Sequence, residues 1–163
     1  MPDILTALPE AASLVLSEWP IDQNTVDAPT RQKVQLEIYR KQLQLEATAR
    51  PMPYLLCDRS TVDAASYWPP DPALFWDAVG SSYEAELARY EAVIYLESAA
   101  AIGVFARTAI RNEATDVAIA HGKILLSLWQ PHRRMFFVPA RERFEHKQQQ
   151  FFEALTEILA GPG

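Results

Sequence analysis

Glycine is scarce in this chain. Five occur in 163 residues, and none belongs to a GxxxxGK[ST] or GxGxxG run, so no glycine-rich loop is present to cradle phosphates through backbone N–H groups. Cysteine is nearly absent. Cys57 alone excludes an internal disulfide framework and suits a reducing cytoplasm. There is no CxxC, and His121, His132 and His146 lack the spacing of a zinc site. No GxSxG elbow occurs. No apolar run approaches the roughly 20 residues that span a bilayer, and the opening "MPDILTALPEAA" has Asp3 where a signal peptide would have Lys or Arg. Positive charge is also in short supply. A formal net charge of −6 argues against a general nucleic-acid binder, though not against a local basic pocket for a small anion.

What is present is an ordinary globular composition, 49% apolar and 22% charged, in a length that suits one domain with a real core. Four short apolar segments read as buried strands: "DILTAL" (Asp3 to Leu8), "YLLC" (Tyr54 to Cys57), "AVIYL" (Ala92 to Leu96) and "MFFV" (Met135 to Val138). Three are nearly continuous apolar runs, as expected of strands covered on both faces.

Helical patterns lie between them. From Pro29 to about Ala49 the chain has strong helix formers and no glycine, with Asp27 placed as N-cap. Val34, Ile38 and Leu45 share one side of that helix, and Leu36, Tyr39 and Leu43 nearly the opposite side, so it should be covered twice. Tyr83 to Arg89 reads as a short helix. Glu113 to Trp129 reads as another, interrupted or bent near Gly122, and the last runs from about Arg141 to Leu159. On that last helix Phe144, Phe151, Phe152, Leu155, Ile158 and Leu159 fall on one arc. Trp68, Trp76 and Trp129 read as core or loop anchors. Strands alternating with helices predict an α/β fold, a mainly parallel sheet of about four strands with helices on both faces.

Ligands of such sheets bind at the carboxyl ends of the strands. Asp58 and Arg59 follow "YLLC" there, Glu10 follows "DILTAL", and Glu97 and Ser98 follow "AVIYL". Each has a plainer alternative. Asp58 would serve as a helix N-cap, Arg59 as partner of a nearby Glu, Glu10 as a first-turn acid favoured by the helix dipole, and Asp63 as a cap or turn residue.

The ordered set "PEAA", "DRSTVDAASYW", "AVIYLES", "RNEATDVA" and "MFFVPA" resembles the AAA-type domain shared by bacterial ribosylnicotinamide kinase regulators and their ATPase relatives, P-loop NTPases of kinase-like build. The likeness spans about Ile4 to Leu159. It implies an ATP-dependent kinase or NTPase that uses ATP and Mg²⁺ on a small-molecule phosphate acceptor, with no nucleic-acid or membrane partner.

Residue by residue, the resemblance implies that Asp58 holds the metal or polarises an attacking hydroxyl, and that Arg59 and Glu10 face the acceptor. Arg107 and Arg111 would supply lid cations, Arg111 within an R-x-E pattern. Val138, Pro139 and Ala140 would line the base pocket, with a core role as the alternative. The resemblance also implies a first strand, a GxxxxGK[ST] loop and a helix ahead of "DILTALPEAA", none of which occurs here. The expectation is therefore an N-terminally truncated P-loop kinase-like fold, inactive as this shortened chain, with exposed sheet edges open to self-association. The alternative is a non-catalytic module that binds a small anion or a protein.

Overall fold

Parallel strands cannot be joined by a tight hairpin, so each strand pair in this chain is bridged by helix. The computed structural model describes residues 4–98, 109–141 and 143–161, apart from the side chains of residues 109–115. The described chain divides into two compact units, Met1–Glu86 and Leu87–Gly163, each with one parallel pair of strands.

In the first unit, strand β1 (Leu5–Leu8) is followed by α1 (Ala11–Glu18) and α2 (Ala28–Thr48), and the chain returns as β2 (Tyr54–Cys57). β1 and β2 pair in parallel with Leu5 opposite Tyr54 and Leu8 opposite Cys57. Helix α2 begins where its sequence says it should. Asp27 accepts the Thr30 N–H at 2.8 Å, and Pro29 occupies the first turn, where its missing N–H costs nothing. One side of α2 packs through Val34 and Ile38 on Ala11, with Ala12, Val15, Leu16, Ile21 and Leu45 around them.

The flank next to that side is buried too, with polar residues, and of the opposite side Tyr39 is buried. Gln35 and Gln42 are almost fully buried beside Tyr39, whereas Leu36 and Leu43 are only half-buried. Tyr39 donates to Glu86 Oε1 at 2.8 Å and Ser81 Oγ donates to the same oxygen at 2.6 Å, so a buried carboxylate is hydrogen-bonded. Short 3₁₀ turns at Asp63–Tyr67 and Pro72–Leu74, then α3 (Phe75–Val79) and α4 (Tyr83–Ala88), complete the unit. Phe75 is the centre of an aromatic cluster, edge-on to Tyr39, Trp68 and Trp76 with ring centroids 5.2–5.6 Å apart. Trp68 and Trp76 are thus core anchors.

In the second unit β3 (Val93–Leu96) pairs in parallel with β4 (Met135–Val138), bridged by α5 (Ala109–Trp129) and followed by α6 (Phe144–Leu159). Both α5 and α6 pack on β3. Helix α5 starts before Glu113 and runs through Gly122 without a break. Gly122 has a different role from the expected interruption. The Tyr95 hydroxyl donates to its carbonyl at 2.8 Å, which ties the middle of α5 to β3. His132 is buried against Trp129. Its Nε2 lies 2.8 Å from the Tyr90 carbonyl and its Nδ1 accepts the Arg134 N–H at 3.1 Å, so the proton sits on Nε2. Arg134 in turn donates to the Glu157 and Ile158 carbonyls at the end of α6, where cations are favoured.

Among the described residues the four parallel strands form two pairs; apolar runs reveal strands but not which strands share an edge. The apolar arc of α6 is only partly covered. Leu155 is buried, Phe151, Ile158 and Leu159 are half-buried, and Phe144 remains 71% exposed and Phe152 50% exposed. α6 also begins at Phe144, not Arg141, with Arg143 as its N-cap residue.

Candidate functional site

The parallel direction of β1 and β2 places their carboxyl ends side by side, with Leu8 opposite Cys57. Glu10 and Asp58–Arg59 therefore leave the same edge of one sheet. After β2 the chain turns within two residues. Arg59 has φ 78°, the one non-glycine residue in the left-handed region among the described residues. For a side chain of this size that backbone costs about 1–3 kcal/mol and persists only when its surroundings hold it.

The hold is visible. Asp63 Oδ2 accepts the Ser60 N–H at 2.6 Å. Ser60 Oγ accepts the N–H groups of Val62 at 3.0 Å and Asp63 at 3.4 Å. Ser60, Thr61 and Val62 are buried, so the turn is clamped from beneath while Arg59 itself stays exposed.

The clamped Arg59 meets Glu10. Its Nε lies 3.6 Å from Glu10 Oε1, with half of the Arg59 side chain and a third of the Glu10 side chain exposed. Glu10 stands at the N-cap position of α1 but does not cap it; instead its Oε2 accepts from the Ser13 hydroxyl one turn on. Tyr67, at the end of the 3₁₀ turn, is half-buried near the same charges. Burial pushes its phenol up; Arg59 opposes that shift, and Glu10 and Asp63 add to it. One guanidinium, two carboxylates and a phenol thus converge at this edge. Such a group can hold an oxyanion on the arginine fork and accept a proton on a carboxylate.

Of the residues expected to form a site, the structure brings Arg59 and Glu10 together, as the ion pair that was the plainer alternative for Arg59. Asp58 is exposed beside them and forms no hydrogen bond among the described residues. The capping role in this turn belongs to Ser60 and Asp63, so the cap alternative for Asp58 is not what is seen. Arg107 lies outside the described residues, and Arg111 belongs to α5 with its side chain outside them.

Val138, Pro139 and Ala140 belong to the second unit. Val138 and Ala140 are buried and Pro139 is half-buried. The Ala140 N–H donates to Glu97 Oε2 at 2.9 Å, while Lys147 Nζ donates to the Glu97 carbonyl at 2.6 Å. The first bond ties the carboxyl ends of β3 and β4 to each other, and the second ties the end of β3 to α6. A groove between α1 and α2, lined by Trp19, Glu37, Arg40 and Lys41, contains none of these residues.

Sequence reasoning did not single out Tyr67, Ser13 or Ser60. Ser13 was discoverable from its spacing, three residues after Glu10 on a helix. Tyr67 carried no such signal, since "DAASY" reads as an ordinary turn.

A nucleotide requires successive backbone N–H donors and a lysine around its phosphates. The described glycines lie elsewhere: Gly80 caps α3, Gly122 is inside α5 and Gly161 follows α6. These residues do not fit a triphosphate. Among the described residues no three His, Cys, Asp or Glu side chains are grouped to hold a metal ion, and no helix is long and apolar enough to cross a membrane.

No curated protein and no solved structure matches the chain. A family model described as AAA domain matches residues 3–156. That span covers nearly the whole sequence, including both strand pairs and the Glu10–Arg59 edge, and the chain belongs to the AAA domain family.

Proposed function

We propose that the chain is a kinase- or NTPase-like P-loop-type domain of the ribosylnicotinamide-kinase-regulator kind, and that its first unit holds a small phosphate acceptor at the carboxyl edge of β1 and β2. The observation that carries this reading is the Glu10–Arg59 pair at 3.6 Å on a left-handed backbone clamped by Asp63. Strain kept at a strand end favours a role beyond stability. Arg59 would hold the acceptor's oxyanion, Glu10 would orient its hydroxyl, and Asp58 would polarise that hydroxyl or meet Mg²⁺ through water. A cytoplasmic setting suits the single cysteine.

The chain has no GxxxxGK[ST] run. That favours a second reading for these 163 residues: a module that binds a small anion without turnover. Calorimetry with Mg-ATP and with inorganic phosphate separates the two. We expect no ATP binding tighter than about 10 μM, equivalent to roughly 7 kcal/mol, and phosphate binding that Arg59→Gln abolishes. ATP binding tighter than that would overturn the second reading. Phosphate binding indifferent to Arg59 would overturn the placement of the site.

A further inference from the structure

Resting on that placement of the site, the geometry points to the class of molecule it takes. We propose that the ligand carries one oxyanion and a neighbouring hydroxyl, and that it opens the Glu10–Arg59 pair. The oxyanion takes the guanidinium of Arg59, and the hydroxyl donates to the carboxylate of Glu10.

Three observations carry this. First, the pair is easy to open. It is a single contact through Nε, longer than a hydrogen bond, with the arginine side chain half exposed, and such loosely made pairs contribute little. The two terminal nitrogens of Arg59 make no hydrogen bond among the described residues, so the fork that suits a planar or tetrahedral oxyanion is uncommitted.

Second, the opening requires only side chains to move. Asp63 and Ser60 fix the backbone on one side of the pair, and the Ser13 hydroxyl holds Glu10 Oε2 on the other. Once Arg59 turns to a ligand, Oε1 is the freed acceptor, aimed at the space the guanidinium leaves.

Third, the charge balance selects against a bare polyanion. Glu10 and Asp63 act with Arg59 on the Tyr67 phenol, and Asp58 is exposed next to Arg59, three carboxylates to one cation. An incoming anion neutralises Arg59 and meets the field of these carboxylates. A ligand that also brings hydroxyl donors satisfies Glu10; one that brings only further negative charge is repelled. Glycerol phosphate has the proposed chemistry. Inorganic phosphate has the oxyanion without the carbon-borne hydroxyls, and pyrophosphate has extra charge without them.

Calorimetry on the full chain with these three probes tests the proposal. Glycerol phosphate should bind about tenfold more tightly than inorganic phosphate, the effect of one good hydrogen bond to a charged group, and pyrophosphate no more tightly than phosphate. Glu10→Gln should tighten phosphate several-fold, because a competing carboxylate is gone, and erase most of the preference for glycerol phosphate. Ser13→Ala gives a second reading that perturbs the fold less: it should reduce that preference and leave phosphate affinity unchanged. Equal binding of glycerol phosphate and phosphate, tightest binding of pyrophosphate, or weaker phosphate binding by Glu10→Gln would each overturn the inference while leaving an Arg59 anion site standing. Failure of all three probes to bind, or binding unaltered by Arg59→Gln, would overturn the site itself and the inference with it.

Discussion

Asp63 accepts the backbone N–H of Ser60 at 2.6 Å, and that bond sits one residue beyond the left-handed Arg59. The two facts belong together. A turn that forces a bulky residue to positive φ needs a fixed partner just downstream, and a carboxylate accepting a backbone N–H is a strong one. Asp63→Ala should cost about 1.5–3 kcal/mol, the range for a hydrogen bond to a charged group. Urea melts would measure it. A loss below about 0.5 kcal/mol would show that the turn is held by something else.

Arg59→Gly separates stability from function. Glycine reaches φ 78° without the strain that arginine carries, against a larger entropy loss on folding. The variant should be as stable as the parent or up to about 1 kcal/mol more stable, while losing all oxyanion binding. A clear destabilisation would mean that the arginine side chain contributes to folding, and that its pair with Glu10 is structural.

The strands and their ends were legible in the sequence. "YLLC" and "MFFV" are strands at the expected bounds because a four-residue apolar run flanked by proline or charge has few other uses. The start of α2 was legible because an acidic cap followed by proline has a direct mechanical meaning. Less of the rest was readable. Gln35 and Gln42 look like surface residues, yet their neighbours bury them. The exposed Phe144 and Phe152 look like core residues, since periodicity predicts a face but not what covers it. Arg59 and Glu10 were both named from strand-end position, whereas their contact depends on the parallel register. Tyr67 became visible only when the turn brought it beside them.

Tyr67 offers a direct report on the charges around it. Burial raises its pKa, Arg59 opposes that rise, and Glu10 and Asp63 reinforce it. Removing the guanidinium by Arg59→Gln should therefore raise the titration further, and Glu10→Gln should lower it. Alkaline difference absorbance near 295 nm, with Tyr67→Phe to assign the signal, would show both. Unchanged titration in both variants would mean that these side chains do not face the phenol in solution.

Gly122 sits in the interior of α5, where glycine is about 1 kcal/mol worse than alanine. An added Cβ would lie 3.7 Å from the Tyr95 hydroxyl, an ordinary contact. Gly122→Ala should therefore stabilise the second unit by up to about 1 kcal/mol, and Tyr95→Phe should destabilise it by about 1 kcal/mol. Thermal melts of both variants would check the pair of signs. Destabilisation by Gly122→Ala would show that the helix needs local freedom at that point.

Asp27 links α2 to acid. The Thr30 side chain, then its backbone N–H, holds the Asp27 carboxyl below its ordinary value. A lowered folded-state pKa contributes stability that is present above the unfolded value and is lost as pH falls through the folded one. The loss should thus begin near pH 4, around the ordinary aspartate value of 3.8, and continue below it. Asp27→Asn keeps an acceptor for the Thr30 N–H but cannot titrate. Its melts should match the parent at low pH and lack this part of the acid dependence. An identical acid profile in the two proteins would assign the sensitivity to other carboxyls.

The strand pairs raise a question of association. Among the described residues each sheet has two strands and so no interior strand, and a strand edge that no other segment covers recruits other chains. Apolar side chains on these strands add to the attraction: Leu55 is 40% exposed, Leu96 45% and Phe137 47%. We expect concentration-dependent self-association of the 163-residue chain, visible by light scattering. A lysine on a strand is a common means of blocking such pairing. Leu55→Lys on β2 and Phe137→Lys on β4 should each reduce the association, and together they should reduce it further, because they act on different sheets. Far-ultraviolet circular dichroism would confirm that helix content is kept. A parent chain that stays monomeric at high concentration would refute the expectation. Association that persists in the double lysine variant would place the contact elsewhere, with the exposed Phe144 and Phe152 of α6 as the next surface to mutate.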